Sequence, residues 1–222
     1  MGIIGITFVV LIAGIAWLYA TNPTGTQHGN IPIIPALVIQ LLIEAAILVV
    51  LLATLPWLSG FTLAQLGFVP LKTWQIGVAF GGAVVMAVVA NGGASLIEEL
   101  THSKHEQTVV EMFKQLHDPH TIAFFAVFAI LLAPIAEETI FRVFLFNVGL
   151  RYGGFWVGAI FSGLLFGLAH GDVFALIPLA LGGIVLAGVY YYTRNAFASM
   201  ITHGCFNALT VLALVFAPQL TK

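Results

Sequence analysis

Long apolar stretches separated by short polar turns make up most of this 222-residue chain. A run of about 20 apolar residues is long enough to cross a bilayer as a helix. In lipid, only helices and closed barrels satisfy their own backbone hydrogen bonds. The apolar runs lie at about 3–20, 33–55, 75–97, 121–150, 155–169, 173–192 and 196–217. The sequence therefore predicts an all-α, polytopic membrane helix bundle with about seven transmembrane helices.

The composition excludes other broad classes of protein. Hydrophobic residues make up 60% of the chain and charged residues 7%, whereas about a quarter of a soluble domain is charged. The net charge of -2 without a basic cluster predicts no nucleic-acid partner. The single cysteine, Cys205, allows neither a disulfide framework nor a cysteine metal site. We expect an integral, multi-pass protein in contact with the lipid bilayer, in the cell membrane or endoplasmic reticulum according to the organism.

Two features of the first half of the chain stand out. The only long polar stretch, Glu98 to His120, carries Val109, Met112, Phe113 and Leu116 at helical spacing. This pattern predicts an amphipathic helix lying at the membrane interface. Glu44 lies in the middle of an apolar run and must face the protein interior, which favours a supporting role or a structural hydrogen bond over a catalytic role.

The segment from Pro134 to Arg142 holds two glutamates and an arginine inside an apolar run. A charge at that depth costs about 2.5–3.5 kcal/mol on insertion scales and is by default a functional candidate. Glu138 and Arg142 are four residues apart and share a helical face, so they can form an ion pair. Glu137 points elsewhere and needs a metal, a histidine, a proton or a water. The alternative is a purely structural polar cluster that holds helices together.

Later spans carry further polar groups at a spacing of four residues. Phe166 and His170 form one such pair, and His203 and Asn207 form another. Each pair lies on one helical face, so we expect both to face the same interior as the glutamates. The small residues at 159, 163, 167 and 171 also share a face, and they predict close approach of another helix.

These motifs, in this order on successive spans, resemble a known family. The patterns EExxxR at 137–142, FxxxH at 166–170 and HxxxN at 203–207 are those of the CPBP family of intramembrane proteases, also called ABI. That family includes the type II CAAX prenyl endopeptidases and bacteriocin-processing proteins. The resemblance covers about residues 133–210 and implies an intramembrane endopeptidase. We therefore divide the chain into N-terminal membrane helices with a polar interfacial segment at 1–120 and a catalytic CPBP-type helical core at 121–222.

The chemistry of these residue types agrees with peptide hydrolysis, which needs a base, a water and oxyanion donors. Glu137 is the predicted general base, and His170 is predicted to share the water as a second base or a ligand. His203 and Asn207 are predicted to supply oxyanion donors. The predicted supporting residues are Glu138, Arg142 and Phe166.

Whether a metal takes part is left open by the sequence. Glu137, His170 and His203 satisfy the ligand count of a catalytic zinc site with one open position. If Glu137 held zinc, the base would have to be Glu138, which conflicts with its pairing to Arg142. We therefore favour a water activated by glutamate and histidine over a metalloprotease, and keep zinc as the alternative.

Two other functions use the same residues differently. A rhomboid-like serine protease would use Ser162 with His203, but this leaves both glutamates without a role. A proton-coupled carrier or binding scaffold would use Glu137, His170 and His203 as a relay. For a protease, the predicted substrate is a hydrophobic peptide or membrane-protein segment, prenylated or not.

Overall fold

The computed structural model describes residues 33–102, Lys104 and residues 107–216, and this part of the chain is helical without strands. The predicted first span at 3–20 lies outside the described residues. The α-helices are α1 Ile33–Ser59, α2 Thr73–Thr101, α3 Thr108–Lys114, α4 Pro119–Val127, α5 Ala133–Glu138, α6 Asn147–Ala169, α7 Leu176–Thr193 and α8 Ala196–Phe216. Two π-helical segments, π1 Phe128–Leu132 and π2 Thr139–Phe146, flank α5 in one continuous helical segment. The prediction of an all-α bundle is confirmed.

Among the described residues, five helical segments are long and apolar enough to cross a membrane. The longest, Pro119–Ala169, is interrupted at Gly154, which has φ 76° and ψ −171°. A Cβ atom on Gly149 would lie 2.6 Å from the Cα of Gly158, although nine residues of straight helix span about 13.5 Å. The chain therefore doubles back at Gly154, between the predicted fourth and fifth spans. The total of seven stays a prediction.

Glycines allow α6 and α7 to pack with their backbones in contact. A Cβ atom on Gly163 would lie 2.7 Å from the carbonyl oxygen of Ala180, and one on Gly167 would lie 2.5 Å from that of Leu176. Side chains at these positions would push the helices apart. The predicted close approach is confirmed for this stripe, except that Gly171 lies beyond it in a turn with φ 70°.

The core joins α1 to the glutamate segment, which consists of π1, α5 and π2 and carries Glu137, Glu138 and Arg142. Leu51 and Leu55 of α1 lie in one buried cluster with Phe141, Phe144 and other side chains of π2. Large apolar side chains such as Val49 of α1 are exposed on the outside of the bundle. Such a surface suits contact with lipid rather than water.

In the described part of the polar stretch after α2, the predicted amphipathic helix corresponds to α3, which contains Val109, Met112 and Phe113 but ends before Leu116. Glu98 belongs to the end of α2. Phe113 of α3 is buried against Phe125, so this helix is anchored on the bundle. Asp118 then caps α4 by accepting a hydrogen bond from the Thr121 N–H.

Candidate active site

Glu138 and Arg142 form a fully buried ion pair. Nη1 of Arg142 lies 3.0 Å from Oε1 of Glu138, and both side chains have an exposed fraction of 0%. Nη2 of Arg142 donates to the carbonyl oxygen of Gly183 in α7 at 3.1 Å. The guanidinium lies over the Phe166 ring, 4.5 Å from its centroid. The predicted pairing is confirmed, and it connects the glutamate segment with α6 and α7.

His203 of α8 lies between the two glutamates. Its Nδ1 is 3.1 Å from Oε1 of Glu138, and its Nε2 is 3.8 Å from Oε2 of Glu137. A carboxylate only accepts hydrogen bonds, so Nδ1 carries the hydrogen toward Glu138. Glu138 therefore contacts both Arg142 of its own helical segment and His203 of α8. The sequence did not predict the contact with His203.

A glycine brings α8 close to the glutamate segment. A Cβ atom on Gly204 would lie 2.5 Å from the carbonyl oxygen of Ile130 in π1. A larger residue at position 204 would push the two helices apart. Because Gly204 directly follows His203, this contact holds the His203 imidazole against the glutamates.

Phe166 links the two predicted histidines. Its ring centroid is 4.7 Å from that of His170 and 5.5 Å from that of His203, both in edge contacts. Nδ1 of His170 lies 2.8 Å from the carbonyl oxygen of Phe166. Because a carbonyl oxygen accepts, Nδ1 carries the hydrogen and Nε2 keeps a lone pair for a proton or a ligand.

Asn207 is anchored to the π-helical part of the segment. Its Nδ2 donates to the carbonyl oxygen of Ala129 in π1 at 2.7 Å. π-Helical turns are rare and are often found at functional sites. They depart from the regular α-helical spacing that the sequence predicts for this segment. One of the two amide hydrogens of Asn207 is thereby engaged with the backbone, and the other is left for the predicted oxyanion role.

Glu137 is the least neutralised charge of the site. Its side chain is 16% exposed, and its Oε2 is buried without a hydrogen-bond partner. Glu44 of α1 adds a third carboxylate that acts electrostatically on Glu137. The sequence indicated only that Glu44 faces the interior.

The residues proposed as zinc ligands have suitable donor atoms, since glutamate oxygen and histidine nitrogen both bind zinc. Among the described residues, however, no three His, Cys, Asp or Glu side chains are grouped closely enough to hold a metal ion. The arrangement of Glu137, His170 and His203 therefore does not fit a preformed zinc site. Zinc stays a prediction from the sequence, and no chemical step below depends on it.

Ser162, the nucleophile of the rhomboid-like alternative, is a packing residue. It is fully buried, and its hydroxyl group donates to the carbonyl oxygen of Ala159 in its own helix at 3.4 Å. This arrangement gives no support to a serine nucleophile.

Sequence comparison supports the resemblance drawn from the motifs. Residues 119–209 match the family model described as type II CAAX prenyl endopeptidase Rce1-like. The predicted resemblance is confirmed. The Rce1-like segment contains the glutamate pair, Arg142, both histidines and Asn207.

Two curated proteins are similar to parts of the chain. The "Membrane-embedded CAAX protease MroQ" of Staphylococcus aureus (strain USA300) is 32% identical over 108 residues, which cover 46% of this chain and 43% of MroQ. The "Putative membrane peptidase YdiL" of Bacillus subtilis (strain 168) is 27% identical over 82 residues, covering 37% of this chain and 34% of YdiL. The chain thus spans less than half the length of these relatives. No solved structure was found to match it.

The membrane prediction agrees with these similarities. Both relatives are described as membrane proteins, and the described residues include five helical segments apolar enough to span a bilayer. The protein is an integral, multi-pass membrane protein.

Proposed function

We propose that this protein is an intramembrane endopeptidase that hydrolyses a peptide bond with a water activated by Glu137. The observation that carries the proposal is the mostly buried carboxylate of Glu137, whose Oε2 has no hydrogen-bond partner and lies 3.8 Å from Nε2 of His203, within the Rce1-like segment. An unpartnered carboxylate is costly in an apolar bundle. A catalytic base must keep an oxygen free, and this requirement accounts for the cost.

In the proposed reaction, Glu137 takes one proton from a water molecule while the water oxygen forms a bond to the scissile carbonyl carbon. The carbonyl π electrons move to its oxygen and give a tetrahedral oxyanion. Glu137 then returns the proton to the amide nitrogen as the carbon–nitrogen bond breaks and the carbonyl re-forms. The products are a carboxylic acid and an amine, so one water is consumed and no cofactor is needed for balance.

His203 is proposed to stabilise the oxyanion. A histidine donates from both ring nitrogens only as an imidazolium. In that form, Nδ1 donates to Glu138 and Nε2 donates to the oxyanion. The buried Glu138 carboxylate, 3.1 Å from Nδ1, compensates that positive charge. A fixed donor in a water-poor site stabilises a developing oxyanion strongly. The remaining amide hydrogen of Asn207 is proposed as the second donor.

His170 is proposed to act from the other side of the site as a second base, which accepts the remaining water-derived proton from the carboxylic acid product. Its Nε2 is the nitrogen with a lone pair, because Nδ1 donates to Phe166. Phe166 holds the imidazole by edge contact and packs on Arg142. This arrangement assigns Phe166 a positioning role rather than a chemical one.

The substrate is proposed to be a hydrophobic or lipidated peptide. The site lies within an apolar bundle, and one similar protein is described as a CAAX protease. A prenylated C-terminal CAAX peptide is therefore the first substrate to test, followed by the unprenylated peptide and a membrane-spanning peptide.

The test is cleavage of these three peptides by purified protein in proteoliposomes, with products identified by mass spectrometry. We expect one of them to be cut at a single bond by the wild type and not by Glu137→Gln. If the folded wild type cleaves none, or the Glu137→Gln variant cleaves equally well, the proposal is wrong. A carrier or binding scaffold would cleave nothing in any condition.

A further inference from the structure

Glu44 is a partly buried glutamate that the mechanism above does not use. It lies in α1, outside the matched residues 119–209. Its Oε1 accepts a hydrogen bond from Nε2 of Gln40 at 2.9 Å, whereas its Oε2 is buried without a partner. A buried acceptor without a donor is costly and calls for a physical reason.

The position of Glu44 on α1 directs it to the glutamate segment. Leu41 packs against the cluster that contains Ala133, and Ile47 packs against the cluster that contains Ile140. Glu44 lies between Leu41 and Ile47 on the same helical face. Since α1 contacts both α5 and π2, this face places Glu44 beside the part of the chain that carries Glu137.

The electrostatic environment of Glu137 agrees with that placement. The charged groups that act on Glu137 include His203, Glu44, Glu138 and Arg142. Because α1 contacts α5, Glu44 is near enough to Glu137 for the two carboxylates to repel each other.

Neither carboxylate can donate a hydrogen bond to the other. Oε2 of Glu44 and Oε2 of Glu137 are both buried acceptors without a hydrogen-bond donor, and ionised carboxylates have no hydrogen to donate. A water molecule has two hydrogens and satisfies two such acceptors at once. Buried waters typically bridge polar groups that are otherwise unsatisfied.

We propose that Glu44 is a further catalytic residue, which binds the attacking water together with Glu137. In this arrangement one water hydrogen is donated to Glu137, which takes it as the proton of the first step. The other hydrogen is donated to Glu44 and stays on the oxygen as the new carbon–oxygen bond forms. Glu44 thereby orients the lone pair of the water toward the scissile carbonyl carbon. The inference rests on the proposed protease function.

The experiment compares Glu44→Gln and Glu44→Leu with the wild type in the peptide cleavage assay. Glu99→Gln is the matched control, because Glu99 is an exposed glutamate at the end of α2. The measured quantities are kcat, KM and the thermal unfolding temperature of each purified variant.

We expect Glu44→Leu to lower kcat by about tenfold or more, the order of loss caused by a misplaced reactant, with KM within about twofold. Glu44→Gln keeps an oxygen that accepts from water, so its kcat should fall between those of wild type and Glu44→Leu. The unfolding temperature of Glu44→Leu should equal or exceed that of the wild type, because an unsatisfied buried acceptor is removed. Glu99→Gln should match the wild type.

Three results would overturn the inference while leaving the protease function intact. They are a Glu44→Leu kcat within about twofold of wild type, a kcat loss accompanied by a lower unfolding temperature, and a change confined to KM. An inactive wild type would instead overturn the proposed function and the inference with it.

Discussion

Oε1 of Glu138 lies 3.1 Å from Nδ1 of His203, although the two residues are 65 positions apart in the sequence. The same oxygen lies 3.0 Å from Nη1 of Arg142. One carboxylate therefore contributes to helix packing through the arginine and orients the histidine that faces Glu137. The stability of the bundle and the geometry of the candidate site depend on the same side chain.

Glu137→Gln should abolish proteolysis without unfolding the protein. The amide keeps the shape of the side chain but does not accept a proton, and loss of a general base lowers kcat by about 10²–10⁴-fold. The measurements are kcat and the unfolding temperature in detergent, with Glu99→Gln as the exposed control. Near-normal cleavage by a well-folded Glu137→Gln protein would rule out Glu137 as the base.

Arg142→Ala should reduce stability strongly. It leaves the fully buried Glu138 carboxylate without its cation, and breaking such a pair costs about 3–5 kcal/mol. Arg151→Ala is the matched control, because Arg151 is exposed. Thermal unfolding in detergent measures the difference, and equal unfolding temperatures for the two variants would contradict a structural ion pair.

His203→Ala should separate activity from stability. Glu138 keeps its contact with Arg142 in this variant, so the unfolding temperature should fall less than in Arg142→Ala. Proteolysis should nevertheless be lost, by about 10²–10³-fold in kcat, because an oxyanion donor is removed. A variant that keeps wild-type kcat would show that His203 is only structural.

Gly167→Ala should destabilise the contact between α6 and α7. The added Cβ would lie 2.5 Å from the carbonyl oxygen of Leu176, and overpacking of this kind typically costs about 1–3 kcal/mol. Gly188→Ala in α7 is the control, because its Cβ would meet nothing within 4 Å. The measurement is the unfolding temperature of each variant in detergent. Equal unfolding temperatures for Gly167→Ala and Gly188→Ala would contradict the close contact between α6 and α7.

Metal dependence can be decided on active, detergent-purified protein by elemental analysis. The glutamate–histidine mechanism predicts activity that resists a strong chelator. A zinc enzyme would instead lose activity to the chelator and recover it with added zinc. Stoichiometric zinc that is lost together with activity in His170→Ala and His203→Ala would show that the proposed mechanism is wrong, but would leave the protease assignment in place.

The helices were largely predictable from the sequence. The predicted spans at 75–97 and 196–217 correspond to α2 at Thr73–Thr101 and α8 at Ala196–Phe216. Long apolar runs identify helices well, because no other local structure satisfies the backbone in lipid. The turn at Gly154 and the glycine contacts of α6 were also anticipated, since glycine allows a positive φ and close helix approach.

The pairing of Glu138 with Arg142 was predictable as well, because residues four apart share a helical face. The π-helical segments were not, since the spacing of charged and apolar residues does not distinguish a π-helical turn from an α-helical one. Asn207 meets the carbonyl oxygen of Ala129 only because α8 lies against π1. The division of the chain at residue 120 and the catalytic roles of the site residues stay predictions.

By itself, the sequence determined that the chain is a helical membrane protein and which polar residues are costly enough in lipid to be functional candidates. Apolar length and the cost of a buried charge are local properties, readable residue by residue. Only the tertiary structure decided that His203 is shared between Glu137 and Glu138, and that α1, which carries Glu44, packs against α5 and π2. These relationships depend on which helix faces pack together, and helix packing is set by shape complementarity between segments far apart in the chain.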